Sequence, residues 1–381
     1  MAPAHEAFRD KELLRRLLGS IAEEASRLGP VRLMHVCGTH ERSVGRFGLR
    51  SLLPRNVRIV AGPGCPVCVC PASDIRAARK LALRPNAMLA SFGDMLAVPA
   101  PGGSLLDARA EGAEVRVVYS AYDALALARE NPGKEVVFFS VGFETTTATT
   151  AAVLSSLGQG AKAGTAPHNF SLISSNRVVP PALEALLSPR RGATDEAPAI
   201  PAVDGLVLPG HVSVIIGTEP YRPLAERLGI PCAISGFEPV DLARGILDLL
   251  KQIGSGRAQV SNVYTRAVLP GGNERARALI SEVYDTADAT WRGIGRLAGT
   301  GLVPKPAYRS FDALAKFEVG TEVGSDDEAT GCLCAAVMLG TAESEDCPLF
   351  GGPCRPESPA GPCMVSDEGT CRIRYEYGGA R

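Results

Sequence analysis

The feature that most constrains the fold of this chain is a regular alternation of short apolar runs with helical stretches. Stretches rich in Ala, Leu and Arg, such as 75–83 and 121–129, separate most of the apolar runs. This alternation predicts an α/β fold, in which helices cover both faces of parallel sheets. The eight runs, rich in β-branched residues, are 31–36, 57–61, 87–91, 115–119, 136–141, 171–175, 203–208 and 232–234.

Length and pattern together predict three domains. A chain of 381 residues has room for two or three domains of about 100–200 residues each. We predict two similar parallel-sheet α/β domains, the first at 28–133 and the second at 134–254. The third, at 255–381, has little strand pattern and is predicted to be mostly irregular and helical. Residues 8–27 have the apolar period of a helix, which is a candidate member of the third domain.

Charge and hydropathy exclude several classes of protein. The 40 Lys and Arg residues balance 41 Asp and Glu, so no net field attracts nucleic acid or an anionic membrane. No apolar segment approaches the roughly 20 residues that span a bilayer. The first ten residues carry both signs of charge and lead into no apolar signal segment. We therefore expect a cytoplasmic protein that binds neither nucleic acid nor membrane.

The distribution of the eleven cysteines predicts two chemical centres. Four lie between positions 37 and 70, six lie between 332 and 371, and Cys232 stands alone in an apolar run. In a reducing cytosol, clustered cysteines indicate metal binding or thiol chemistry rather than a disulfide framework. Cys232 is expected to belong to the core.

The first centre is predicted where strands end. The first run leads into CGTHE at 37–41, the second into GPGCPVC at 62–68, the fifth into GFETT at 142–146 and the seventh into PGHVS at 209–213. Ligands of open α/β sheets bind outside the carboxyl ends of the strands. We therefore expect these four loops to share one cleft.

Thiol chemistry is predicted for this cleft. Cys37 is expected to be free and ionised at the start of a helix, with His40 one turn on to assist its deprotonation. The alternative is a buried cysteine at a strand end. Cys65 and Cys68 form a C-x-x-C pair suited to reversible dithiol–disulfide exchange, and a zinc knuckle is the competing interpretation. Cys70 is treated as an accessory thiol.

Two further polar residues follow predicted strands. Glu144 is either functional or part of an ordinary helix cap. His211 is as consistent with a hydrogen-bonded structural histidine as with a functional one.

The second centre is predicted to be a metal site. Nearly all of its cysteines stand beside Gly, Pro or polar residues, which does not suit core positions. Four thiolates fit zinc or a [4Fe–4S] cluster, and the wide spacing favours iron–sulfur over the closely paired ligands of zinc. The candidates are Cys347, Cys354 and Cys371, with Cys332 or Cys334 as the fourth and Cys363 as an extra.

In combination, these motifs resemble the HypD family of hydrogenase maturation proteins. The likeness runs from about residue 31 to 377 and includes GFEP at 236–239, WRGIG at 291–295 and the cysteine-rich tail from 347 to 371. It implies two α/β domains of similar topology and a cluster domain. The family spacing of 14, 6 and 16 residues selects Cys332, Cys347, Cys354 and Cys371 as [4Fe–4S] ligands. That choice of Cys332 over Cys334 rests on the family spacing alone.

The resemblance also implies a function. The chain would be a scaffold, together with the small protein HypC, for assembling the Fe(CN)2CO group of [NiFe] hydrogenases, with HypE delivering cyanide. Cys37 would hold the iron with a cysteine of HypC, and Thr39 or His40 would donate hydrogen bonds to cyanide. Without its partners the chain is expected to be a monomer.

The resemblance also implies an electron-transfer role for the C-x-x-C pair. Cys65 and Cys68 would exchange electrons with the cluster for reductive cyanide release, although the extra thiol of Cys70, where the family has threonine, leaves their pairing open. Glu41, Glu144 and His211 complete the predicted catalytic set. Two alternatives remain, a stand-alone cluster-dependent thiol/disulfide oxidoreductase and a zinc-bound structural binding module.

Overall fold

A computed structural model describes residues 6–164, 166–188, 202–320 and 331–378. Within these residues the chain has eleven strands. They are β1 (Val31–His35), β2 (Val57–Ala61), β3 (Ala87–Ser91), β4 (Glu114–Val117), β5 (Glu135–Gly142), β6 (Phe170–Asn176), β7 (Gly205–Pro209), β8 (Cys232–Ser235), β9 (Val260–Asn262), β10 (Tyr284–Trp291) and β11 (Gly295–Pro304).

Eighteen α-helices alternate with these strands in the described ranges. They are α1 (Lys11–Ser26), α2 (Gly38–Arg46), α3 (Leu49–Leu52), α4 (Pro66–Val69), α5 (Ala72–Ala82), α6 (Gly93–Leu96), α7 (Leu105–Ala110), α8 (Ala121–Glu130), α9 (Glu144–Lys162), α10 (Val179–Leu187), α11 (Gly210–Ile216), α12 (Arg222–Glu226), α13 (Pro239–Gly254), α14 (Glu274–Val283), α15 (Ala313–Lys316), α16 (Cys334–Met338), α17 (Pro362–Val365) and α18 (Thr370–Tyr377). No described helix is both long and apolar enough to cross a bilayer.

The strands form two parallel sheets and one antiparallel hairpin. The five-stranded sheet has the order β2-β1-β7-β8-β9, and the four-stranded sheet has the order β4-β3-β5-β6. Strands β10 and β11 pair with each other in antiparallel fashion. The predicted α/β class with two parallel sheets is confirmed, and all eight predicted strands are present.

The two sheets do not follow the predicted division at residues 133 and 134. The chain builds β1 and β2, leaves to build the whole four-stranded sheet, and returns to place β7 beside β1, where Leu33 pairs with Gly205. Each sheet is therefore assembled from other segments than 28–133 and 134–254. The reason is that the apolar pattern of a strand indicates that it is buried but does not indicate which other strand it pairs with.

Packing also changes the place of the first helix. Ile21 and Ala25 of α1 are buried with Leu33 of β1 and Leu249 of α13, in the core on one face of the five-stranded sheet. The helix thus belongs with this sheet rather than with the third domain. Its start is fixed by Asp10, whose carboxylate accepts hydrogen bonds from two backbone N–H groups of the first turn.

A second core joins the two sheets to the C-terminal segment. It contains apolar side chains of both parallel sheets, among them Met34 and Phe139. The same core includes cysteines from both groups that are distant in sequence, such as Cys68 and Cys363. The fold therefore brings the two predicted chemical centres against each other.

Candidate functional site

Cys37 lies where β1 ends and caps α2, as predicted. The second predicted loop packs directly on it, because the backbone N–H of Gly38 donates to the carbonyl of Gly64 over 3.0 Å. A Cβ atom at Gly64 would lie 2.1 Å from the backbone nitrogen of Cys37. Only glycine allows this close approach of the two loops.

Replacing Gly64 with alanine is expected to lower the free energy of unfolding by at least about 2 kcal/mol, because the atoms in the way are backbone atoms that cannot rotate aside. Gly19→Ala is the matched control: Gly19 is exposed in α1, and a Cβ there meets no atom within 4 Å. That change is expected to stabilise the chain by about 0.5–1 kcal/mol. Urea unfolding measures both, and equal stabilities would contradict the packing of the two loops.

The thiol of Cys37 is free, as predicted, but it is buried and neutral. Burial, and after it the carboxylate of Glu368, raise the pKa of Cys37 to about 12. The expected ionised thiolate is therefore wrong for the chain by itself. Cys37 Sγ lies 3.8 Å from Nδ1 of His211, within reach of a long hydrogen bond between the thiol and the imidazole.

His40 does not assist this thiol with its ring. Its Nε2–H donates to the carbonyls of Gly236 and Ser235, at 3.0 and 3.3 Å. Burial and the nearby histidines lower the pKa of His40 to about 3, so the ring is neutral. The imidazole beside Cys37 is that of His211, for which the sequence left both interpretations open.

Glu368 is a residue of this site that sequence reasoning missed. Its carboxylate accepts a hydrogen bond of 2.6 Å from the hydroxyl of Thr39, and its backbone lies against Gly38. The hydroxyl of Thr39 is therefore already engaged. Glu368 lies 329 positions away from Thr39 in the chain, and no spacing rule links the two. The one feature of the sequence that could have pointed to Glu368 is its position within the cysteine-rich tail.

Glu41 turns away from the thiol into an ion-pair cluster. Its Oε2 accepts hydrogen bonds of 2.6 Å from both His35 Nε2 and Arg50. Burial alone would raise the pKa of Glu41, but Arg50 and His35 outweigh it and hold the pKa well below the usual range. The geometry indicates that Glu41 fixes α2 rather than reacting.

Cys65 and Cys68 are joined in a disulfide, with their Cα atoms 5.2 Å apart. The helix α4 that carries Cys68 packs against α17, which carries Cys363. On the other side of the pair, the backbone N–H of Arg292 donates to the carbonyl of Val69 over 2.9 Å. Cys70 stays outside the disulfide, with its sulfur 3.4 Å from the hydroxyl of Ser175.

Glu144 makes no hydrogen bond with the cluster around Cys37. It begins α9 after β5 of the four-stranded sheet, and α9 packs against α11, the helix that carries His211. The expectation of one cleft shared by all four loops stays a prediction. One oxygen of Glu144 accepts from the backbone N–H of Val179 at 2.9 Å. Tyr221 is close enough to both Glu144 and Cys37 for their charges, after burial, to raise its pKa.

Burial raises the pKa of Glu144 to about 7, which makes stability depend on pH. Between pH 4.5 and 7 the folded chain holds a proton that the unfolded chain releases, so the free energy of unfolding falls by about 3 kcal/mol as pH rises through this range. Glu144→Gln mimics the protonated form. We expect it to match the parent chain near pH 4.5 and to exceed its stability by about 3 kcal/mol at pH 8.

The measurement is urea unfolding of both chains from pH 4.5 to 8. The neutral buried rings of His40 and His211 lose stability as pH falls below 6.5, with pKa values lowered by burial to about 3 and 4. Because both chains contain them, their effect cancels in the difference. A difference that stays constant over this range would show that Glu144 is ionised throughout.

The C-terminal cysteines converge in space. Cys334 lies within hydrogen-bonding reach of Cys332 and Cys363, and Cys363 within reach of Cys371. Cys354 is close enough to Cys347 and Cys371 for their charges to influence its ionisation. All but the half-buried Cys332 are buried. Cys232 is likewise buried, in β8, as predicted.

The four predicted ligands fit a [4Fe–4S] cluster in their chemistry. Four thiols supply its donor set, and the backbone N–H of Ala360 donates to Cys354 Sγ over 3.3 Å. A Cβ at Gly361 would lie 2.9 Å from Cys332 Sγ, so glycine keeps space beside that sulfur. As they stand in the described ranges, no three His, Cys, Asp or Glu side chains are arranged to hold a metal ion. The cluster and its ligands stay a prediction.

Comparison with known proteins gives matches over nearly the whole chain. The family model HypD, described as "Hydrogenase formation hypA family", matches residues 12–378. The chain is 44% identical over 379 residues to a protein of Azotobacter vinelandii named hydrogenase maturation factor HypD, covering 99% of this chain and 97% of that one. A Cupriavidus necator protein of the same name is 42% identical, covering 98% and 96%.

Proposed function

This chain belongs to the HypD family of hydrogenase maturation factors, and from that membership we propose that it holds the iron of an Fe(CN)2CO group on Cys37 while the group is assembled. The observation that carries the proposal is the pairing of the Cys37 thiol with His211 Nδ1 at 3.8 Å, at the end of a sheet and against the loop of the Cys65–Cys68 disulfide. Low-spin iron(II) with cyanide and CO is a soft centre that thiolates suit.

Iron binding at Cys37 requires that its proton leave. As iron binds the sulfur, it drives the thiol proton off, through the neutral and half-buried imidazole of His211 to solvent. The iron cation then takes the place of the proton on sulfur. Glu368 adds negative charge near this cation, which favours the loaded state over the empty thiolate.

Cys65 and Cys68 are proposed to carry the electrons for cyanide release. In the dithiol form they give two electrons and two protons. A thiocyanate R–S–C≡N takes up the two electrons and both protons as its S–C bond breaks, giving a thiol R–SH and hydrogen cyanide, and the disulfide forms. The described chain holds this disulfide, the oxidised end of the cycle.

The C-terminal cysteines are proposed to restore the dithiol. Cys332, Cys347, Cys354 and Cys371 would hold a [4Fe–4S] cluster, which supplies single electrons at low potential when bound. The packing of α17 on α4 supports this role, because it sets Cys363 and its neighbours directly against the segment that carries Cys68. A buried core common to both groups of cysteines keeps this contact dry.

The partners proposed are a HypC protein, contributing a second thiolate to the iron, and a HypE protein carrying the thiocyanate. The experiment is anaerobic co-purification of the chain with HypC, followed by infrared spectroscopy. We expect C≡N and C≡O stretching bands in the complex. A complex that is formed in hydrogenase-producing cells yet lacks these bands would contradict the scaffold role.

The second candidate is a stand-alone thiol/disulfide oxidoreductase, and the Cys65–Cys68 disulfide is the observation that favours it. It predicts that the chain, once reduced, turns over a disulfide substrate without HypC. The scaffold proposal predicts no such turnover, because the disulfide is buried and reached only through an assembled complex. Assaying disulfide reduction with and without HypC separates the two.

A further inference from the structure

Four arginines converge on one pocket away from the thiol site. The pocket has a volume of about 410 Å³ and is lined by Arg50, Arg55, Arg58 and Arg374. These residues come from three separate segments, namely α3 with the turn that follows it, β2 and α18. Glu343 is the single carboxylate in the lining. We call this the arginine pocket.

The carboxylates of the chain leave the arginine pocket with hydrogen-bonding capacity to spare. Glu343 is shared, since its two oxygens lie 2.5 Å from Arg58 Nη2 and from Arg374 Nη2. Arg50 uses one Nη on Glu41. In the described part of the chain Arg55 has no carboxylate partner, and the buried Nε of Arg50 has no hydrogen-bond partner. Arg374 Nε likewise makes no hydrogen bond, but it forms an ion pair with Glu345 at 3.7 Å.

We propose that the arginine pocket binds a phosphate group. A guanidinium offers a planar fork of N–H donors that matches phosphate oxygens, and several forks from different directions suit a tetrahedral anion better than a planar carboxylate. The Nη groups are within reach of a ligand, because the side chains of Arg50, Arg58 and Arg374 are 21%, 57% and 19% exposed.

The rest of the lining indicates an organic phosphate as one source. Leu53 and Pro54 give the pocket an apolar wall, and a volume of about 410 Å³ exceeds what a single phosphate ion fills. A single ion pair links the pocket to the thiol site. Arg50 donates a hydrogen bond to Glu41 of α2, the helix that follows Cys37. The inference does not depend on the proposed function.

The test is calorimetric titration of the full-length chain, purified anaerobically, with inorganic phosphate and with ADP at low ionic strength. We expect saturable binding of one phosphate group per chain. The double variant Arg55→Gln/Arg58→Gln should weaken this binding at least about tenfold, a typical loss when charge-assisted hydrogen bonds are removed. Tighter binding of ADP would identify an organic phosphate as the ligand, and tighter binding of phosphate would identify the free anion.

Arg15→Gln is the matched control, because Arg15 is an exposed arginine in an ion pair on α1. It should bind both probes as the parent chain does. If the double variant does not fold, Arg55→Gln alone serves, since it breaks no ion pair in the described ranges. The proposal is overturned if neither probe binds saturably, or if the pocket variant binds as tightly as the control.

Discussion

Replacing Cys37 with alanine is expected to abolish the C≡N and C≡O infrared bands of the complex with HypC while leaving the visible absorption of the iron–sulfur cluster intact. The reason is that iron carrying cyanide and CO needs a soft anionic ligand, and alanine supplies none. The proposed cluster ligands lie on other segments of the chain, so we expect them to keep their geometry. Infrared and visible spectra of the same anaerobic sample measure both effects.

Cys232→Ala is the matched control for this experiment. Cys232 is also a buried thiol at a strand of the five-stranded sheet, and burial raises its pKa to about 12 as well. Both changes remove one buried sulfur and cost a similar amount of stability, about 1–2 kcal/mol. The control should keep its infrared bands. Bands that persist in the Cys37 variant would remove this residue from the role of iron ligand.

Replacing His211 tests how the proton leaves Cys37 when iron binds. Its replacement by glutamine removes the proton acceptor but leaves the sulfur, so iron should still bind, more slowly at neutral pH and with less deficit as pH rises toward the pKa of Cys37. This pH dependence is what a merely structural histidine would not produce.

The sequence predicted the elements of this fold better than their arrangement. All eight runs between 31 and 234 are strands, because a β-branched apolar run bounded by turn residues records its own burial. The pattern of a run does not indicate which strand it pairs with, so the pairing of β7 with β1 was missed. The hairpin β10–β11 was missed too, since both strands are half exposed, neither has a strong apolar alternation, and β11 is rich in glycine.

For the site too, the sequence predicted individual residues better than their neighbours in space. Cys37, Cys65 and Cys68 were found because cysteines beside strand ends have few other roles in this class of fold. His40 was assigned to Cys37 on closeness in sequence, yet its ring points to the carbonyls of Ser235 and Gly236. The true neighbour, His211, lies 174 positions after Cys37, and the pairing of β7 with β1 brings the two together.

The ionisation of Cys37 could not be read from sequence for a related reason. A cysteine at a helix start ordinarily has a lowered pKa. Here the N-terminus of α2 is sealed by Gly64 on one side and by Glu368 on the other, so burial and a carboxylate outweigh the helix. Both come from segments that are distant in the chain.

The largest effect on the C-terminal segment is expected from Cys332→Ala, which should remove the cluster, its visible absorption and its four irons together. Cys332 is the half-buried cysteine, and Gly361 keeps space beside its sulfur. Cys334 is instead buried in the first turn of α16, within hydrogen-bonding reach of both Cys332 and Cys363. On the family spacing, Cys334→Ala should keep the iron, and iron analysis of the two variants, which differ by two positions, decides between them.

Loss of the cluster should also loosen the segment that holds it. Residues 331–378 contain only short helices and turns, so the proposed cluster would supply part of their folding free energy. Because Glu368 in this segment contacts Thr39, amide hydrogen exchange should rise in Cys332→Ala both within 331–378 and at the start of α2. If Cys332→Ala keeps its iron and Cys334→Ala loses it, the ligand assignment is reversed. If the increase in hydrogen exchange is confined to 331–378, the cluster does not stabilise the Cys37 site.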